Sequence, residues 1–246
     1  MTRGLVIVSW VMILGAAAPA SAQWNVAAFV GDAWNRSADL RIASAPDTAL
    51  TLADVEYDNR SFEFPLYYGV RAGRPLGGRW SWLGIEAEFI HLKTITRPTQ
   101  LVEAAGQLSG RTVPSPLPLG DVLPRFELSH GLNFILANVV VRTTLGGRDD
   151  SSDRVALAFR GGLGPTIPHV EGTLQGRDED AYQWSSLGWQ AAGGVEVRLR
   201  GPVHVLSELK WTGTRQDVGI GDARVRGSFR ATHLVFGLGV RPTDRD

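Results

Sequence analysis

Apolar and polar side chains alternate along much of this chain, and this period of two residues most constrains its fold. In the segment 186–199, Leu187 and Trp189 fall on one face, whereas Glu196 and Arg198 fall on the other. Successive side chains of a β-strand point to opposite faces, so the alternation predicts strands that separate two environments. Beyond its first residues, the chain has no uncharged apolar stretch long enough to cross a membrane as a helix. The sequence therefore predicts an all-β fold.

Eight segments carry this alternation, and the connectors between them differ in length. The predicted strands span 24–33, 62–73, 83–89, 126–145, 155–164, 186–199, 203–212 and 232–240. The connectors alternate between short ones, at 75–79, 146–153 and 200–202, and longer ones, at 35–61, 94–125, 171–183 and 213–227. Short turns that alternate with long loops are typical of outer-membrane barrels. We therefore predict an eight-stranded antiparallel up-and-down transmembrane β-barrel, with an irregular, proline-rich loop at 94–125.

One predicted strand requires a local irregularity. Within 126–145, Asn133 and Asn138 fall on opposite faces of a regular strand. We expect a β-bulge or a register change near His130 and Gly131 to reconcile them.

The first 22 residues have the pattern of an export signal. Arg3 supplies a positive charge, residues 5–14 are apolar, and 20–22 form an Ala-Ser-Ala cleavage site. The apolar run is too short for an ordinary spanning helix, although a retained anchor is the alternative. We expect residues 1–22 to be the signal peptide and 23–246 to form the barrel domain in the outer membrane of a Gram-negative cell envelope.

Composition excludes several classes of function. The sequence contains no cysteine, so it has neither disulfides nor thiolate metal ligands. Its 25 basic residues balance its 25 acidic residues, and loss of Arg3 with the signal leaves a slight acidic excess. Nucleic-acid binding requires a basic surface, which this balance does not indicate.

The polar face of the predicted strands carries charges of both signs. A soluble barrel with an apolar interior alternates equally well. Opposite charges can neutralise one another inside a narrow lumen, and six tryptophans lie near predicted strand ends, as in membrane barrels. We therefore predict a lumen charge network of Arg71, Glu86, Glu88, Arg160, Glu196, Arg198, His204, Glu208, Lys210 and His233. Within it, Glu208 should lie close to His233 if the last hairpin closes around 219–221.

The five histidines, at positions 91, 130, 169, 204 and 233, are candidates for catalysis or metal binding. No pair has the spacing of metal ligands on one helix. Ser129 and His130 resemble a nucleophile beside its base, but adjacent side chains of a strand point to opposite faces unless a bulge intervenes. A carboxylate–imidazole pair of Glu208 and His233 can be catalytic or a structural tie, and the structural role is favoured. We predict no catalytic residue, metal or cofactor.

Four stretches of the sequence resemble outer-membrane β-barrel proteins of the OmpA/OmpW-like class. They are 82–93, which resembles the third strand of such proteins, 129–133, 164–171 and 232–238. The resemblance implies an eight-stranded barrel, and a fold does not fix a function. Such chains usually end in an aromatic residue that the assembly machinery recognises. This sequence ends at Asp246, which implies either an internal signal around Phe236 or inefficient insertion.

The expected function is that of a non-enzymatic outer-membrane protein with a structural, surface-interaction or narrow, porin-like solute-passage role. Its expected partners are membrane lipid, lipopolysaccharide and the barrel-assembly machinery. One alternative is a lipid A-modifying enzyme of the deacylase or acyltransferase type. The deacylase motif has His, then Ser two residues later, then Asn, whereas the chain has Leu132 between His130 and Asn133. The other alternative is a soluble periplasmic ligand-binding barrel.

Overall fold

The computed structural model describes residues 24–145 and 154–242. The predicted signal peptide, the connector 146–153 and the last four residues lie outside this range. Two short 3-10 helices, Gly78–Trp80 and Leu119–Asp121, accompany the strands. The strands are β1 (Asn25–Asn35), β2 (Ala38–Ser44), β3 (Thr48–Val55), β4 (Tyr57–Asp58), β5 (Tyr68–Pro75), β6 (Leu83–Thr96), β7 (Leu101–Val102), β8 (Ala104–Leu108), β9 (Arg111–Thr112), β10 (Leu117–Pro118), β11 (Arg125–Thr144), β12 (Val155–Leu174), β13 (Arg177–Tyr182), β14 (Leu187–Arg200), β15 (Val203–Ile220) and β16 (Ala223–Val240).

Eight of these strands form a closed ring. The order β1-β5-β6-β11-β12-β14-β15-β16 follows the chain, and every neighbouring pair is antiparallel. The last strand returns to the first, with Val26 opposite Val240 and Asn35 opposite Ala231. A closed ring leaves no unpaired edge, which is the condition for crossing lipid with strands. The prediction of an eight-stranded antiparallel barrel is confirmed.

The outside of this ring is apolar over a band of limited height. We call the exposed outward side chains of the band the apolar belt; they include Val26, Val30, Val70, Ile85, Ile135, Val139, Phe159, Leu163, Leu187, Leu209, Leu234, Phe236 and Leu238. Trp24 and Trp34 lie at the two ends of β1. They are separated by about 33 Å at ~3.3 Å per residue, or about 25 Å along the axis at a typical tilt. This height matches the apolar band of outer-membrane barrels.

Polarity inverts along the strands that extend past the belt. On β15, Leu209 and Trp211 are exposed and Lys210 is buried, whereas nearer the tip Val218 is buried and Arg215 is exposed. Strands β11 and β12 have 20 residues each and β15 and β16 have 18, although about 9–11 residues suffice to cross the hydrocarbon. The upper part of the barrel is therefore polar outside and apolar inside, like a water-soluble domain.

The long connectors are mostly sheet. β2 pairs with the upper part of β16, β3 pairs with β2, and β8 pairs with β3. The prediction of an irregular loop at 94–125 is wrong in part, because β6 continues to Thr96 and β7–β10 follow. The predicted loop 213–227 is also wrong, since β15 and β16 pair without interruption to Ile220 and Ala223. A two-residue turn joins them, and Gly221 adopts a positive φ of 59° there.

The second predicted strand begins later than expected. The alternation suggested a start at Phe62, but β5 starts at Tyr68. The amide of Glu63 donates to the carbonyl of Arg60, which closes a turn. Pro65 has no N–H to donate to a ladder. The segment 59–66 therefore lies outside the barrel ladder.

Apolar side chains fill the inside of the upper part. The largest fully buried ones include Leu40, Ile42, Leu52, Leu92, Leu119, Leu123, Phe126 and Leu128. They come from β2, β3, the 94–125 connector and the tops of the barrel strands. This upper core lies directly above the lumen. No helix among the described residues is long and apolar enough to cross a membrane.

Candidate functional site

The lumen contains a network of ion pairs centred on Glu208 of β15. Nη1 of Arg71 lies 2.9 and 2.8 Å from the two Glu208 carboxylate oxygens. Arg160 also donates to Glu208, and Lys210 Nζ lies 3.1 Å from it. Three cations from β5, β12 and β15 therefore surround one carboxylate that is almost fully buried. Such geometry offsets the desolvation that a lone buried charge would suffer.

A second carboxylate, Glu88 of β6, is held by one cation and two amides. Lys210 Nζ donates to it at 2.5 Å. Asn138 Nδ2 and Gln190 Nε2 donate to its other oxygen at 2.8 and 2.6 Å. Glu86, on the same strand, pairs with Arg160 at 3.1 Å. The network thus ties six barrel strands together across the lumen: β5, β6, β11, β12, β14 and β15.

Glu196 extends the network toward the short-turn end. Arg160 Nη2, Arg142 Nε and Arg241 Nη2 approach it at 3.0, 3.0 and 2.7 Å. Arg198 and His204 lie beside it and line a cavity of about 140 Å³ at this mouth. Sequence reasoning missed Arg142 and Arg241, although Arg142 lies within a predicted strand.

His233 lies in the lumen but contacts a different partner from the one predicted. The register of β15 and β16 places Lys210, and not Glu208, opposite His233. Its Nε2 lies 2.8 Å from Thr212 Oγ1, and its ring packs 5.5 Å from the ring of Tyr67. The predicted contact between Glu208 and His233 is therefore wrong. The turn consists of Gly221 and Asp222, which is further along the chain than the predicted 219–221. This displacement changes the cross-strand partner of every residue in the hairpin.

Among the described residues, the charge network leaves little free volume in the lumen. The cavity bordered by Arg71, Glu86, Arg160 and Glu196 measures about 10 Å³, which barely reaches the volume of one water. Phe29 packs against the network, with its ring centroid 4.7 Å from Lys210 Nζ and 5.7 Å from Arg71 Cζ. The upper core lies above these groups. Ion pairs and an apolar core therefore fill successive levels of the barrel interior.

A second polar cluster lies on the outer wall, at the bulge in β11. The ladder shifts register between Glu127 and Leu132, and Gly131 has a φ of 112° there. The predicted bulge is therefore present, but Asn133 and Asn138 remain on opposite faces. Asn138 enters the lumen, whereas on the outer side Asn133 Oδ1 accepts a 3.0 Å hydrogen bond from His91 Nδ1.

We call Ser129, His130, His169 and Glu171 the outer-wall cluster. His130 Nδ1 lies 2.6 Å from Glu171 Oε1 and 3.3 Å from Ser129 Oγ. Ser129 also donates to Oε1, while Arg125 binds the other oxygen, Oε2. The bulge thus brings Ser129 and His130 together, which a regular strand would prevent.

His169 completes the cluster from β12. Its Nδ1 lies 3.7 Å from Glu171 Oε1, and its Nε2 lies 3.3 Å from Asp180 of β13. The ring packs edge-on against His130 and Tyr182, with centroids 4.9 and 4.4 Å away. The signal for this pair was present in the sequence, because His169 and Glu171 are two positions apart on one strand and share a face.

A groove adjoins the outer-wall cluster at the top of the apolar belt. It has a volume of about 740 Å³. The residues that line this outer-wall groove are Phe64, Pro65, Tyr68, Phe89, His91, His130, Asn133, Ile135, Ile167 and Tyr182. Its walls are apolar or aromatic, and its polar groups are histidine and amide side chains. The groove therefore combines an apolar wall with a polar edge.

No family model matches this sequence, and neither does any curated protein. Among solved structures, the chain is similar to Neisserial surface protein A at 13% identity, covering 89% of this chain and 96% of that one, with a TM-score of 0.43. It is also similar to the outer membrane protein OprG of Pseudomonas aeruginosa at 11% identity, covering 89% of this chain and 95% of that one, with a TM-score of 0.39. The similarity to Ail of Yersinia pestis is at 10% identity, covering 87% of this chain and 99% of that one, with a TM-score of 0.33. The barrel assignment itself stands on the strand pairing and on the distribution of charge.

Proposed function

We propose that this chain is a plugged outer-membrane β-barrel that passes no hydrophilic solute and acts through its outward surfaces. The observation that carries the proposal is the closed lumen, in which Glu208 holds Arg71, Arg160 and Lys210 below an apolar core. An eight-stranded barrel has an interior only just wide enough for its own side chains. Of the expected roles, a structural or surface-interaction role is therefore favoured over solute passage.

The apolar belt supports the membrane location and lipid as the main partner. A soluble ligand-binding barrel has an apolar interior and a polar exterior, and this chain has the reverse arrangement over the belt. Membrane fractionation combined with heat-modifiable gel mobility tests the location. The proposal predicts a membrane-bound protein whose mobility changes on boiling, and a soluble protein with unchanged mobility would contradict it.

The second candidate function is modification of a membrane lipid, and the outer-wall cluster favours it. A serine, a histidine and a carboxylate lie together beside a lipid-sized groove, as covalent hydrolysis requires. However, a relay needs His130 to hold Ser129 with one ring nitrogen and Glu171 with the other. In this structure Nδ1 faces both groups.

Mass spectrometry of lipid A tests the second candidate. Lipid A from cells that express the wild type is compared with lipid A from cells that express Ser129→Ala or no protein. An enzyme that uses Ser129 would remove an acyl chain from lipid A, or transfer one, only in the wild type. Identical spectra from all three would exclude it and leave the non-enzymatic proposal.

A further inference from the structure

Three potential metal ligands converge in the outer-wall cluster. One ligand atom from each of His130, His169 and Glu171 lies within 4.8 Å of the others. Donor atoms of a tetrahedral site with metal–ligand bonds of about 2.0–2.2 Å stand roughly 3.4 Å apart. Contacts of 2.6 and 3.7 Å from Glu171 Oε1 to the two rings bracket that separation. Small side-chain rotations would therefore place all three around one ion.

The surroundings already orient two of these ligands. Asp180 Oδ1 lies 3.3 Å from His169 Nε2, so a carboxylate stands beside that nitrogen while Nδ1 is the ring nitrogen near Glu171. Metal-bound histidines commonly have such a carboxylate on their second nitrogen. Arg125 binds Oε2 of Glu171 and leaves Oε1 facing the histidines. Asp180 and Arg125 thus orient the ligand atoms of His169 and Glu171 toward the same point.

Within residues 24–145 and 154–242, His169 Nδ1 has no hydrogen-bond partner. It is buried from solvent and lies 3.7 Å from Glu171, beyond hydrogen-bond distance. Buried nitrogen atoms normally find a partner, because an unsatisfied polar atom costs about 1–3 kcal/mol. An ion at the centre of the cluster would supply one.

We propose that His130, His169 and Glu171 bind a divalent transition-metal ion, with Zn²⁺ the best match. Two imidazoles and one carboxylate are a borderline donor set that suits Zn²⁺ better than Mg²⁺ or Ca²⁺, which take oxygen ligands. Three protein ligands leave a fourth position open, on the side of the outer-wall groove. The metal displaces the hydroxyl of Ser129 from Oε1. This proposal depends neither on the plugged lumen nor on catalysis by Ser129.

Metal titration of the folded, untagged protein in detergent micelles tests the proposal. After chelator treatment, the protein is titrated with Co²⁺, whose visible absorption reports tetrahedral coordination, and Zn²⁺ is then added in competition. We expect one ion per chain. A wild-type protein that takes up no stoichiometric Co²⁺ or Zn²⁺ would overturn the proposal.

Variants separate this site from other metal-binding surfaces. His169→Ala and Glu171→Gln should each lower Zn²⁺ affinity by about 100-fold or more, and Asp180→Asn by about tenfold, within the range of outer-shell changes. His204→Gln, at the short-turn mouth, should bind as the wild type does. Heat-modifiable mobility verifies that each variant is folded. Unchanged affinity in a folded His130→Ala/His169→Ala double variant would contradict the assignment.

Discussion

At the scale of single residues, the lumen shows how a narrow barrel holds ionised side chains. Glu208 is matched by three cations, and Lys210 by two carboxylates. Removing one member leaves its partners charged and buried, which costs more than the pair itself contributes. The stability of the barrel is therefore sensitive to the replacement of a single charged residue of the network by an uncharged one.

Glu208→Gln should lower the free energy of unfolding by about 3–5 kcal/mol, because Arg71, Arg160 and Lys210 lose their common counter-charge. The measurement is urea unfolding followed by tryptophan fluorescence in micelles. Glu56→Gln is the matched control, since Glu56 pairs with Arg97 at the exposed surface. It should cost less than about 1 kcal/mol. Equal effects of the two substitutions would contradict the buried network.

The face on which a side chain lies follows from the alternation of the sequence, whereas its partner on the neighbouring strand depends on register. The side of Glu208 and His233 follows from alternation alone, and both are buried in the lumen. Their pairing depends on the turn, and a two-residue turn at Gly221 places His233 opposite Lys210 instead. The outer-wall cluster was missed because His130 reaches Glu171 only through the bulge, whose local geometry alternation does not encode.

At the scale of elements, the bulge in β11 positions the outer-wall cluster. Gly131 has a φ of 112°, and an added Cβ would lie 2.4 Å from Asn133 Oδ1 and 2.5 Å from His91 Nδ1. Both the backbone conformation and the space therefore require glycine.

Gly131→Ala should lower the free energy of unfolding by about 1–3 kcal/mol through this strain, and it should also displace His130. Urea unfolding measures the first effect. Gly161→Ala is the control, because a Cβ there meets nothing within 4 Å. A Gly131→Ala variant as stable as Gly161→Ala would show that the bulge does not require glycine at position 131.

The hairpin of β15 and β16 has a titratable contact near its tip, outside the apolar belt. Burial raises the pKa of Asp217, but hydrogen bonds from Arg224 and Arg226 outweigh it, so the pKa lies below its ordinary value of 3.8. A lowered pKa means that the carboxylate stabilises the fold above its unfolded pKa, and that this contribution disappears as pH falls through the folded value.

Asp217→Asn should therefore cost stability at pH 7, by less than about 1 kcal/mol at this exposed site. The difference from the wild type should vanish below the folded pKa. Urea unfolding of both proteins at pH 7 and at pH 2–3 provides the test. A difference that persists unchanged at low pH would show that the ion pairs are not its origin.

At the scale of the whole molecule, the chain combines two opposite distributions of polarity. Over the belt, apolar side chains face outward and ion pairs lie inside; above it, polar side chains face outward and the upper core lies inside. The eight strands were predictable because their two faces alternate strongly in polarity. The continuation of β15 and β16 to Ile220 and Ala223 was not, because the polarity of the two faces inverts along it.

The central claim is that the lumen is closed, and planar-bilayer conductance of the purified, folded protein tests it most directly. Because Glu208, Arg71 and Arg160 are locked together beneath an apolar core, we expect no discrete channel openings above the baseline in molar KCl. A general porin recorded in the same bilayers serves as the positive control. Reproducible conductance steps from folded wild-type protein would contradict the plugged barrel.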